Sequence, residues 1–125
     1  MATNLAKKIL IIDDDSRNIF ALKAVLKAKG FECVTATTGP AGIEILESDN
    51  GVGIVLLDMM MPEMDGYQTI DIIRKGPCKT MPIISVTAQA MQGDREKCLE
   101  AGADAYISKP IDVDHLLSVL NEHLK

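Results

Sequence analysis

The sequence predicts an α/β fold, a single doubly wound (βα)5 domain. Three observations lead there. Short apolar runs alternate with amphipathic segments five times along the chain. The first, third and fourth runs are apolar almost throughout, which suits strands covered on both faces, as in a parallel sheet. The length, 125 residues, fits one domain able to bury roughly two-thirds of its unfolded surface. Strand–helix alternation of this kind implies right-handed crossovers, with the ligand crevice outside the carboxyl ends of the strands.

The expected strands are Ile9–Ile12, Phe31–Ala36, Ile54–Leu57, Pro82–Val86 and Ala105–Ile107. After the first, Ile19, Leu22, Val25, Leu26 and Lys29 lie on or beside one helical face, and Gly30 is placed to end the helix. Thr38, Gly39 and Pro40 form the entry to a second helix running to about Ser48. Asp65 is placed to cap a third, with Ile70 and Ile73 facing inward. The segment Met91–Gly102 is highly polar, with Met91, Cys98 and Leu99 as its sizeable apolar anchors, so a helix there is the least firmly packed. In the last helix Val113, Leu116, Leu117, Leu120 and Leu124 follow helical spacing, and Asp112 can cap it.

Composition narrows the function classes. The hydrophobic fraction of 47% and charged fraction of 25% are those of a globular chain. A net charge of −5 argues against non-specific nucleic-acid binding, which needs a basic face. Cys33, Cys78 and Cys98 are odd in number and widely spaced, which speaks against a disulfide framework or zinc site and for a reducing, cytoplasmic setting. No apolar run has signal-peptide or membrane-span length. One domain over residues 1–125 is expected, with 1–7 as an N-terminal extension and no output domain.

The chemistry gathers at the strand ends. The first strand runs into Asp13-Asp14-Asp15, the third into Asp58, the fourth into Thr87-Ala88, and the fifth into Lys109-Pro110. In a doubly wound sheet these points converge on one crevice. Asp15 is placed to cap the following helix. Consecutive aspartates at a buried edge repel one another, and a hard cation such as Mg²⁺ relieves that cost. Thr87 or Lys109 alone would be unremarkable; their ordered placement on successive strands gives them weight.

The stretches Lys8–Asp14 (KILIIDD), Val55–Gly66 (VLLDMMMPEMDG), Val86–Ala88 (VTA) and Ser108–Pro110 (SKP) resemble the receiver domains of response regulators and hybrid histidine kinases. The resemblance runs in register from about Lys8 to the C-terminus, and DMMMPEMDG is its most specific part. It implies a flavodoxin-like sheet of order 2-1-3-4-5. It further implies that Asp58 is the phosphoacceptor, and that Asp13, Asp14, Asp58 and the backbone carbonyl of Met60 hold Mg²⁺. Lys109 would contact the phosphoryl group, its bond to Pro110 would be cis, and Thr87 and Tyr106 would be a switch pair. The implied partners are a histidine kinase or histidine phosphotransfer protein, and a downstream protein meeting residues 91–124. DDDSRNIFAL (Asp13–Leu22) and SKPI resemble hybrid-kinase receivers more than those of winged-helix transcription factors. The resemblance also places Met60 and Gln89 where side chains modulate the lifetime of the phosphorylated state.

The residue types suit that chemistry. A carboxylate is a usable nucleophile toward phosphorus, and a cation beside it neutralises the transferring group. The chain is then a signalling phosphoacceptor rather than a conventional enzyme. A phosphatase with an aspartate nucleophile would carry a second aspartate two residues on, where Met60 stands. A degenerate receiver serving as a scaffold would lack the acidic pair or Lys109, and both are present. His115 and His123 lie on the polar side of the last helix and read as solvated surface.

Overall fold

Five strands hydrogen-bond side by side in one parallel sheet of order β2-β1-β3-β4-β5, the order the resemblance implies. The computed structural model describes residues 8–48, 51–61, 64–77, 79–87 and 93–123. The elements are β1 (Lys8–Ile12), α1 (Ser16–Ala28), β2 (Cys33–Ala36), α2 (Gly39–Glu47), β3 (Val52–Asp58), α3 (Gly66–Lys75), β4 (Ile83–Thr87), α4 (Asp94–Ala101), β5 (Ala105–Ser108) and α5 (Val113–His123).

The strand order explains the composition of each strand. β1, β3 and β4 are interior, and Ile9–Ile12, Ile54–Leu57 and Ile83–Ile84 are essentially inaccessible to solvent. β2 and β5 are edges, and most of their residues are half-buried. Side chains alternate between the faces, so the sheet carries two cores. Leu10, Ile12, Val55, Leu57 and Ile83 meet Leu46 of α2, Ile70 and Ile73 of α3 and Cys98 of α4. On the opposite face Ile9, Ile11, Ile54, Leu56, Ile84 and Ile107 meet Ile19, Leu22 and Leu26 of α1 and Leu116, Val119 and Leu120 of α5. Each fully buried Leu or Ile contributes roughly 1.5–3 kcal/mol.

The helix boundaries follow local chemistry. Asp15 caps α1 by accepting from the Arg17 and Asn18 N–H groups, and Gly30 follows its end at φ +93°. Thr38 caps α2, with Pro40 in the first turn. Asp65 and Gln68 form a reciprocal capping box on α3. Asp112 accepts from the Asp114 and His115 N–H groups at the start of α5.

Some boundaries and faces differ from the expectations. β2 begins at Cys33 rather than Phe31, because the Phe31 N–H closes the preceding turn on the Leu26 carbonyl. β3 reaches from Val52 to Asp58, since Val52 pairs with Lys8 and Asp58 with Val86. α4 spans eight residues and follows Gly93, an N-cap residue at φ +98° with no side chain to cap the helix. Within it Cys98 is buried and Leu99 half-buried; Met91 lies outside the described residues. α5 buries Val119 with Leu116 and Leu120, leaving Val113 and Leu117 half-buried; Leu124 lies outside the described residues. Among the described residues no helix is long and apolar enough to cross a membrane.

Candidate functional site

Alternation along the strands aims three charged side chains at one place. Asp13 continues the Ile9–Ile11 face of β1, Asp58 the Ile54–Leu56 face of β3, and Lys109 the Ala105–Ile107 face of β5. All three leave the carboxyl edge on the side of α1 and α5. Lys109 Nζ lies 3.6 Å from Asp13 Oδ2 and 3.8 Å from Asp58 Oδ1. The Lys109 N–H donates to the Thr87 carbonyl at 2.8 Å, and the Lys109–Pro110 peptide is cis, as expected.

The carboxylates differ in setting. Asp13 is 3% exposed and accepts the Asp15 N–H at 2.9 Å and a hydrogen bond from Asn18 Nδ2. Asp58 is 4% exposed and accepts the Met60 N–H at 3.0 Å through Oδ1. Asp14 is exposed. One oxygen from each of the three lies within 4.8 Å of the others. Burial pushes the Asp58 carboxyl above the usual carboxylate range, and the Asp13 charge adds to this, while the Met60 N–H and Lys109 act the other way. One ammonium does not balance three carboxylates. The donors are hard oxygens at the mouth of a crevice, a set that fits a hard divalent cation.

Thr87 ends β4 and is buried, but alternation places it on the opposite face of the sheet, with Ile83 and towards α4. Tyr106 packs against that same core and pairs in register with Ser85. The structure thus brings Asp13, Asp14, Asp58 and Lys109 together, and puts Thr87 and Tyr106 on the other face of the sheet. Met60 is half-exposed next to Asp58. Pro62, Glu63, Ala88 and Gln89 lie outside the described residues. Sequence reasoning missed Asn18, which fixes Asp13 from the first turn of α1; an amide five residues after the first aspartate was the available signal. It also missed the role of Gly66, where a Cβ would lie 2.7 Å from Met59 Cα. His115 is exposed as expected, whereas His123 is half-buried, and both line an open groove of about 440 Å³ with Arg95, Tyr106 and Glu122.

A sheet of this order with an acidic, lysine-bearing carboxyl edge defines a class of phosphorylation-controlled signalling domains. The model of the response regulator receiver domain matches residues 9–121, and the chain belongs to that family, the receivers of two-component signalling. It is 39% identical over 112 residues to the sensor histidine kinase RcsC of Escherichia coli, covering 90% of this chain and 12% of that protein. It is 32% identical over 127 residues to hybrid signal transduction histidine kinase I of Dictyostelium discoideum, covering 96% of this chain and 7% of that one. The chain therefore spans a small part of these two relatives, which carry their receivers within hybrid kinases. Among solved structures it resembles the receiver domain of the sensor histidine kinase PA1611 from Pseudomonas aeruginosa, with a TM-score of 0.85 and 31% identity over 95% of this chain and 98% of that one. That receiver was crystallised with a magnesium ion coordinated in its active-site cleft.

Proposed function

We propose that this receiver takes a phosphoryl group on Asp58 from a phosphohistidine of a histidine kinase or histidine phosphotransfer protein, and so switches a partner-binding surface within residues 91–124. One observation carries the reading: a buried carboxylate at the carboxyl end of a central strand lies 3.8 Å from the ammonium of Lys109, with the Asp13 and Asp14 carboxylates beside it. A carboxylate oxygen of Asp58 forms the new P–O bond as the donor's P–N bond breaks. The electron pair leaves with the imidazole, so no side-chain general acid is required. Lys109 neutralises charge on the equatorial oxygens of the transferring group. Asp13, held by Asn18, together with Asp14, Asp58 and the Met60 carbonyl would hold Mg²⁺. When bound, the ion supplies the positive charge that three carboxylates and an incoming phosphoryl group demand. The free thiols of Cys33 and Cys98 support a cytoplasmic setting.

The switch follows from the two faces of the sheet. A phosphoryl group on Asp58 attracts the Thr87 hydroxyl as a hydrogen-bond donor. Thr87 then leaves space beneath α4, which Tyr106 turns in to fill. α4 has no side-chain cap and one fully buried apolar anchor, Cys98, so it is the element best able to shift. Incubation with acetyl phosphate and Mg²⁺, followed by intact mass measurement, tests the central claim. One phosphoryl mass is expected on the wild type and none on Asp58→Asn; undiminished labelling of that variant would overturn the assignment.

A further inference from the structure

Among the described residues, the Ser85 hydroxyl is the one buried side-chain polar atom without a hydrogen-bond partner, and Ser85 is wholly inaccessible to solvent. An unpartnered buried hydroxyl destabilises the state that contains it, whereas alanine would fit the same space without that cost. Serine is therefore a poor choice for the conformation described. Its position suggests what it is for. Ser85 sits two residues before Thr87 on the same face of β4, with Leu57 on one side and Tyr106 on the other in register. Ile83, also on that face, is large, and β4 then narrows to Ser85 and Thr87.

We infer that Ser85 is a positioning residue of the switch. It is the small floor over which the Tyr106 ring turns, and its hydroxyl gains a partner when the ring arrives. This rests on the Thr87–Tyr106 reading above. Neighbouring strands run about 4.8 Å apart, so a Tyr106 ring laid over β4 covers residue 85 before it reaches any other position. A valine or isoleucine there would occupy the volume the ring needs. The face of an aromatic ring is negative and accepts an O–H, which turns the orphaned hydroxyl into a donor with a partner. The same hydroxyl thus penalises one state and supports the other, and biases the equilibrium toward the turned-in ring.

Wild type, Ser85→Ala and Ser85→Val are loaded with beryllofluoride and Mg²⁺; fluorine NMR reports occupancy of the site and the Tyr106 ring resonances report the turn. All three should load equally. In Ser85→Ala the equilibrium between the two ring positions should move back toward the unloaded one by about two- to fivefold, the effect of one weak O–H···π contact. In Ser85→Val the Tyr106 shift should disappear. A simple packing role would alter melting in loaded and unloaded protein alike and leave the Tyr106 shift intact. Loaded Ser85→Ala with the full wild-type Tyr106 shift overturns the proposal, even if Ser85→Val fails to fold. A loaded wild type whose Tyr106 does not move overturns the switch itself, which separates the two claims.

Discussion

At the scale of single residues the acidic edge of the sheet works against stability. Asp13 and Asp58 are buried next to each other with Lys109 as their shared cation, while Asp14 is screened by solvent. Asp58 has its folded pKa raised, first by burial and then by the Asp13 charge. A carboxyl whose folded pKa lies above its unfolded one destabilises the fold once ionised. The penalty is absent in acid, grows as pH rises through the raised value, and is fully present above it. Asp58→Asn should therefore melt higher than wild type at neutral pH in EDTA, by on the order of 4 °C for a repulsion of about 1 kcal/mol. The gain should vanish as pH falls below the usual carboxylate range. Asp14→Asn should gain less, because its charge is exposed. Melting curves from acid to neutral pH check both; a gain that persists in acid, or a larger one for Asp14→Asn, contradicts the account.

At the scale of elements, α3 and α4 contrast. α3 is fixed tightly at its start by the capping box and by Gly66, whose added Cβ would lie 2.3 Å from Met59 Sδ and 2.7 Å from Met59 Cα. Backbone atoms cannot step aside as a side chain can. Gly66→Ala should cost roughly 1–3 kcal/mol, read from the urea midpoint, and should displace Met59 next to Asp58. The glycine of the DMMMPEMDG stretch is thus a packing requirement at the edge of the site. Among the described residues, the far end of α4 is tied to α3. Arg74 of α3 donates to the Gly102 carbonyl through Nε and Nη2, to the Lys79 and Met81 carbonyls through Nη1, and pairs with Asp104 at 3.0 Å. Asp104 in turn accepts the Ile83 N–H. Lys97 of α4 stands 5.2 Å from the centre of the Tyr67 ring. Hydrogen exchange should be fastest in α4 among the five helices, and Arg74→Ala should quicken exchange at residues 102–104 while leaving α1 unchanged.

At the scale of the whole molecule, the sheet is the part that connects the chemical edge to the groove between α4 and α5. The carboxylates and Lys109 lie on one side of the carboxyl edge, and Thr87, Ser85 and Tyr106 on the other. In the proposed switch, a charge added at Asp58 reaches α4 through β4 and β5. Thr87→Ala should still accept a phosphoryl group but lose most of the NMR shifts at residues 93–108 that beryllofluoride produces in the wild type. Shifts confined to the surroundings of Asp14, Asp58 and Lys109 in the wild type would instead mean that the added charge stays local.

Much of this was legible in the sequence because it depends on near neighbours along the chain. Unbroken apolarity marked β1, β3 and β4 as interior strands, and caps at Asp15, Thr38, Asp65 and Asp112 marked helix starts, since the groups they bond are two or three residues away. The strand-end positions of Asp13, Asp58 and Lys109, with a period of two, sufficed to bring them to one edge. Only the tertiary structure decided the rest. That Asn18 reaches Asp13, that Val119 faces the core, that Gly66 touches Met59, and that Arg74 holds the carbonyls after α4 are outcomes of how elements sit on one another. The orphaned Ser85 hydroxyl is the clearest case. A serine in an apolar strand looks neutral in one dimension, and its cost exists only because the strand order places it between Leu57 and Tyr106 with no hydrogen-bond partner among the described residues.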